Sequence, residues 1–89
     1  MGRAGNVRAV TAIVYRQLPD VPHRQYVRRI IDSRHVLWHR DAAIALRMTT
    51  NDARTIAATL RTRSIGKAGM AITEPKGQYG FETLEDTTP

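Results

Sequence analysis

The segment from residue 49 to 66, TTNDARTIAATLRTRSIG, leaves its backbone less choice than any other part of the chain. Thr49 is a residue type that caps a helix by accepting a hydrogen bond from a backbone N–H, and Asp52 follows three residues later. A carboxylate there also meets the positive end of the helix dipole. Behind the cap, Ala53, Ile56, Ala57 and Leu60 recur at the i, i+3, i+4, i+7 spacing of one buried helical face. Ser64 or Gly66 stops the run and Ile65 plugs its end. The expectation is a helix over residues 50–63.

Other stretches carry weaker versions of the same period. Residues 40–47 read as a short helix with Ala42, Ala43 and Leu46 inward, joined to the next by a turn at Met48-Thr49-Thr50-Asn51. The small alanines at 42, 43, 53 and 57 let two helices cross closely. In residues 5–18, Val7, Val10, Val14 and Leu18 fall at helical spacing, which predicts a helix, although the β-branched content also suits a strand. PDVP, 19–22, breaks the chain. A helix then starts at Pro22 with Tyr26, Val27, Ile30 and Ile31 as its apolar stripe and ends near Ser33-Arg34. HVLWH, 35–39, is a small strand or a bridging loop. After residue 66 the period shortens: MAITE and YGFETL, separated by Pro75-Lys76-Gly77-Gln78, read as a β-hairpin.

Charge narrows the function classes. The 89 residues carry a net +6, almost all of the basic side as arginine. Residues 1–70 hold 13 Lys+Arg against 4 Asp, whereas 71–89 hold one Lys against four acids. An arginine-rich basic body points to a polyanion, because the guanidinium donates in pairs to phosphate and to guanine edges. A GC-rich genome would raise arginine as well. A chain this short reads as one domain with a thin core, and without cysteine neither a disulfide nor a thiolate zinc site reinforces it. That absence fits a cytosolic protein. No apolar run is long enough to span a membrane, and Arg8 and Arg16 interrupt the N-terminal apolar stretch too often for a secretory signal.

The order helix, helix, short strand, helix, turn, helix, hairpin over residues 22–84 resembles the winged helix-turn-helix family, departing from its pattern at Arg47 and Ser64, where many members carry glycine. The resemblance implies a mainly α fold with a C-terminal β-hairpin and an extra N-terminal helix. A single domain over 5–84 would comprise an accessory helix at 5–18, the helix-turn-helix at 40–63 and the wing at 67–84, with flexible ends at 1–4 and 85–89. It further implies sequence-specific binding of double-stranded DNA by a small transcriptional regulator, cytoplasmic and at the nucleoid. The helix after Met48 would lie in the major groove. Its outward residues Thr50, Asn51, Arg54, Thr55, Ala58, Arg61 and Thr62 become the expected DNA contacts, with Arg54 on a base edge and Thr55 beside it. Lys76 is the wing contact, and Arg28 and Arg40 add phosphate contacts, with Arg24, Arg29 and Arg34 as further candidates. Four threonines on an exposed helical face (50, 55, 59 and 62) weaken the helix without an evident structural return, which favours a functional reason for them. The N-terminal segment 5–18 is the expected dimer contact.

The alternative reading is a winged-helix docking module that grips an acidic protein and leaves DNA alone. Other chemistries find little footing. The G-x-x-G of residues 66–69 resembles the backbone-clamping loop of KH domains, but proline and two further glycines follow where a helix would be needed. His35 and His39 are four apart with Asp41 following, a set from which a metal site is imaginable, but two histidines and an acid in a short extended segment are more often incidental, and Asp32, Ser33 and His35 are neighbours in sequence only. No G-x-x-x-x-G-K-[ST] loop occurs, so no enzyme, cofactor or metal is expected.

Overall fold

The computed structural model describes residues 9–32, 35–66 and 71–86. The expected tail 1–4, residues 87–89 of the expected tail 85–89, the helix start at 5–8, the helix end at Ser33-Arg34 and residues 67–69 of the G-x-x-G loop therefore lie outside the described residues, whereas 85 and 86, expected in the flexible tail, belong to the last strand. The elements are β1 (Ala9–Gln17), β2 (Gln25–Ile30), β3 (Val36–His39), a 3-10 turn (Ala42–Ile44), α1 (Thr50–Ile65) and β4 (Gln78–Asp86). The four strands form one antiparallel sheet in the order β3-β2-β1-β4. This is not a mainly α fold. α1 is the one α-helix among the described residues, so the helix-turn-helix is absent there, and so is the wing.

Each misplaced helix has a physical cause. Val10 and Val14 are four apart, a spacing that puts two residues on one helical face and, four being even, on one strand face as well. The surrounding Thr11, Ile13 and Tyr15 settle the choice as strand β1. In β2 the ladder slips between Val27 and Arg29, leaving Arg28 as an extra residue. The bulge returns Val27 and Ile30 to the same face, and that i, i+3 spacing imitates a helix. Residues 40–47 hold only the 3-10 turn, capped where Ala43 N–H donates to the Asp41 carboxylate at 2.9 Å. The expected hairpin partner at 71–74 is not a strand. Thr73 N–H donates instead to the Arg63 carbonyl at 3.1 Å, near the end of α1, and β4 pairs with β1 along nine residues, from Ala9–Asp86 to Gln17–Gln78.

The segment leading into α1 is wedged into the sheet. β1 and β2 pair only at Tyr15–Tyr26 and Arg16–Gln25, then part. Into the gap comes the chain at 46–48: Leu46 N–H donates to the Val27 carbonyl at 2.8 Å, and Met48 and Ala12 exchange both bonds, at 3.0 and 2.8 Å. Thr49 follows at once. Its hydroxyl accepts from Asp52 N–H at 3.1 Å, as the sequence leads one to expect, and α1 ends at Gly66, held in the left-handed region at φ 66. The helix packs on β1 and β4, burying Ala53, Ala57, Leu60 and Ser64 against Ala12, Val14, Val27 and Tyr79. Alanine on both sides lets backbone approach backbone. Tyr79 and Phe81 share this inward face, as their alternation predicts.

One end of the core is polar. Arg16 lies over the Trp38 ring at 4.2 Å, donates through Nε to Gln25 at 2.7 Å and pairs with the buried Glu74 at 3.5 Å. Tyr79 meets Trp38 edge-on and its hydroxyl donates a hydrogen bond to the Pro75 carbonyl. Among the described residues no buried side-chain nitrogen or oxygen lacks a hydrogen-bond partner.

Two outcomes test this account. Thr49→Ala should lower the unfolding free energy by about 1 kcal/mol, read from urea denaturation. Burial pushes the Tyr79 phenol above its ordinary pKa of 10.0, with Arg16 opposing. A pKa raised by folding supplies stability that is intact below pH 10 and is lost as pH rises through the folded value. Tyr79 should therefore ionise above pH 10 in an alkaline absorbance titration, and Tyr79→Phe should remove that late component.

Candidate nucleic-acid interface

Strand alternation sorts the sheet into two faces. Ala12, Val14, Val27, Trp38 and Tyr79 turn toward α1. The pairs Tyr15–Tyr26, Tyr26–His39 and Arg29–Leu37 then occupy the opposite face, with Ile13, Gly80 and Glu82. Arg28 and Arg29 are both exposed. Arg24, just before β2, lays its guanidinium over the Tyr15 ring at 4.1 Å and binds Glu82 at 3.1 Å. Tyr15 has room for this because Gly80 lies beneath it: a Cβ there would come within 2.8 Å of the tyrosine hydroxyl oxygen. Counting back from the Met48–Ala12 bridge, alternation carries the exposed Arg47 to the same face, next to Ile13. The result is a sheet face with arginines from three segments, two half-buried tyrosines, and Glu82 paired with Arg24.

The helix residues expected to touch DNA do gather on one side of α1, but much of their chemistry is already engaged. Arg54 donates to Asn51 at 3.1 Å and lies 5.9 Å from the Phe81 ring centre. Arg61 reaches back to the Tyr79 carbonyl at 2.7 Å. The Thr59 and Thr62 hydroxyls donate to the carbonyls of Thr55 and Ala58, four residues earlier, at 2.9 and 3.0 Å. Local back-bonding of this kind gives those threonines a partner within the helix. Thr55 and Ala58 are exposed and Thr50 is half-buried at the helix start. The structure does not bring Arg28, Arg40 or Lys76 into that group: Arg28 is on β2, Arg40 follows β3, and Lys76 precedes β4.

Tyr26 was missed because it falls on the apolar stripe of an expected helix that is strand β2 instead, and Tyr15 because it lies off the valine stripe of an expected helix whose described part is strand β1. The signal that finds them is the period of two in AVTAIVYRQ, which separates Ala12 and Val14 from Ile13 and Tyr15. Within the expected dimer segment 5–18, the backbone of β1 is already paired, with Met48 and β2 on one side and β4 along the whole of the other, and residues 5–8 lie outside the described residues. The histidines make separate local contacts, His35 with Asp32 at 2.9 Å and His39 with Asp41 N–H at 3.0 Å. Among the described residues no group of three or more His, Asp or Glu is placed to hold a metal, and no helix is long and apolar enough to cross a membrane.

The Arg24–Glu82 pair is exposed enough for water to screen it, so Glu82→Gln should change the urea midpoint only slightly, by less than about 1 kcal/mol in stability. Compared with known proteins, the chain matches no protein-family model, no curated protein and no solved structure.

Proposed function

We propose that this protein binds duplex DNA and that the contact surface is the sheet face bearing Arg24, Arg28, Arg29 and Arg47. The observation that carries the reading is the convergence of arginines from β2 and its two neighbouring segments onto one face, where Glu82 is already paired with Arg24. The major groove, about 12 Å wide, admits a two-stranded ribbon, and sheet faces are an established way of entering it. The bulge at Arg28 sets two exposed arginines side by side on β2. A role in transcription requires selectivity among sequences, which Arg24 is suited to provide: its guanidinium is already oriented by Tyr15 and Glu82 before any ligand arrives.

The outer side of α1 is the second reading, favoured by the exposed Arg54, Thr55 and Ala58. Fluorescence anisotropy with random and selected duplexes at several salt concentrations separates the two. Arg28→Ala with Arg29→Ala should weaken binding to every sequence and flatten the log–log salt slope by about two charges, whereas Arg54→Ala should leave it unchanged. The reverse pattern returns the contact to α1. Negligible binding of any duplex at physiological salt ends the DNA reading and leaves an acidic protein as the partner for the basic body.

A further inference from the structure

The sequence holds five tryptophan, tyrosine and phenylalanine residues. Three of them, Trp38, Tyr79 and Phe81, pack into the core beneath α1. The other two, Tyr15 and Tyr26, are cross-strand partners on the opposite face of the sheet. His39 pairs with Tyr26 from β3, so one row across three strands reads Tyr15, Tyr26, His39, each half-buried. Cross-strand neighbours stand about 5 Å apart at Cβ, which makes the row a continuous band of flat groups. At the β4 end the band meets Gly80, which leaves room for the Tyr15 ring. Arg24 adds a fourth flat group: its guanidinium lies over Tyr15 while its side chain stays 44% exposed.

The next row along the sheet is cationic. β1 and β2 run antiparallel, so residues before Tyr15 and residues after Tyr26 lie on the same side of the band. There Arg29 follows on β2, with Arg28 in the bulge beside it, and Arg47 stands next to Ile13. All three arginines are exposed. The face thus sets flat rings and guanidinium groups in parallel rows. Phosphates and groove edges satisfy the second row. Ring faces are matched by base faces, and in a stacked duplex those are hidden between neighbouring base pairs.

We infer that this face is a site for the unpaired bases of a DNA strand. The inference rests on the reading of the sheet face as the DNA surface, and narrows it from duplex in general to DNA that is single-stranded or locally opened. One base stacks on Tyr26 and its neighbour on Arg24, whose guanidinium is backed by Tyr15. The phosphates of the same strand fall to Arg28, Arg29 and Arg47. Closed duplex keeps the arginine contacts alone and binds more weakly. Stacking tolerates any base, since each has a π face.

Fluorescence anisotropy with three labelled probes tests the proposal. They are a mixed-sequence strand of roughly 20 nucleotides, longer than the usual single-strand site, the same strand annealed to its complement, and an abasic strand of equal length. The unaltered protein should bind the intact strand about tenfold more tightly than either of the others, with the same salt slope for the intact and abasic strands. Tyr26→Leu keeps apolar bulk but removes the π face. It should weaken binding of the intact strand about tenfold and leave duplex affinity unchanged, whereas Tyr26→Phe should bind like the unaltered protein. The abasic comparison needs no variant, so it decides if Tyr26→Leu does not fold. Duplex binding together with an abasic strand held as tightly as the intact one overturns the inference and leaves the DNA reading standing. So does a folded Tyr26→Leu with undiminished single-strand affinity. No binding of any of the three probes at physiological salt removes the DNA reading itself, and the inference with it.

Discussion

The pair of backbone bonds between Ala12 and Met48 governs the rest of the molecule. It fills the gap where β1 and β2 separate, satisfying groups on β1 that would otherwise lie unpaired beside the core. It also fixes the residue from which α1 departs, since Thr49 caps the helix one position later. With its start tied to Ala12, the helix runs over β1 and β4, and the sheet is covered unevenly: Val27 is buried beneath it, while Ile30 and Leu37 stay exposed. The alanines 12, 53 and 57 belong to the same constraint, because a helix tethered through so short a link must lie close to the strand it leaves.

At the other end of the core the Arg16 cluster holds the returning chain. A buried ion pair contributes little net stability by itself, since desolvation offsets the attraction. Its value here lies in placement. Arg16, on β1, ties down Glu74, and the Pro75 carbonyl accepts a hydrogen bond from the Tyr79 hydroxyl, so the residues that close the sheet are aligned before β4 begins. Removing one partner would leave the other charge desolvated, which is why Gln25 and Trp38 complete the shell around the guanidinium.

What could be read from the sequence was what is decided locally. The cap at Thr49, the stripe from Ala53 to Leu60 and the left-handed stop at Gly66 are set within a few residues of themselves, and each stands as expected. Tyr79 and Phe81 showed their shared face through simple alternation. The strands were obscured because their spacing was ambiguous. Val10 and Val14 suit either period, and the Arg28 bulge put Val27 and Ile30 into helical register. The partner of β4 was beyond local reasoning: nothing near Gln78 indicates that residues 9–17, and not 71–74, lie beside it. The winged-helix expectation fell with those strands, and the arginines of the supposed second helix moved to a sheet face, still outward but in different company.

The placing of β4 against β1 has a consequence for how the chain acquires its shape. Ala9's position in the ladder is occupied only when Asp86 arrives, so the central strand waits for the last described residue. During synthesis the β2–β3 hairpin and α1 can form early from neighbouring residues, while the long side of β1 stays open. Closing the sheet is then a search across most of the polypeptide, the kind of non-local step that makes folding slow. Over that interval β1 is a bare template, and the nascent protein is at its most vulnerable to pairing with the wrong strand.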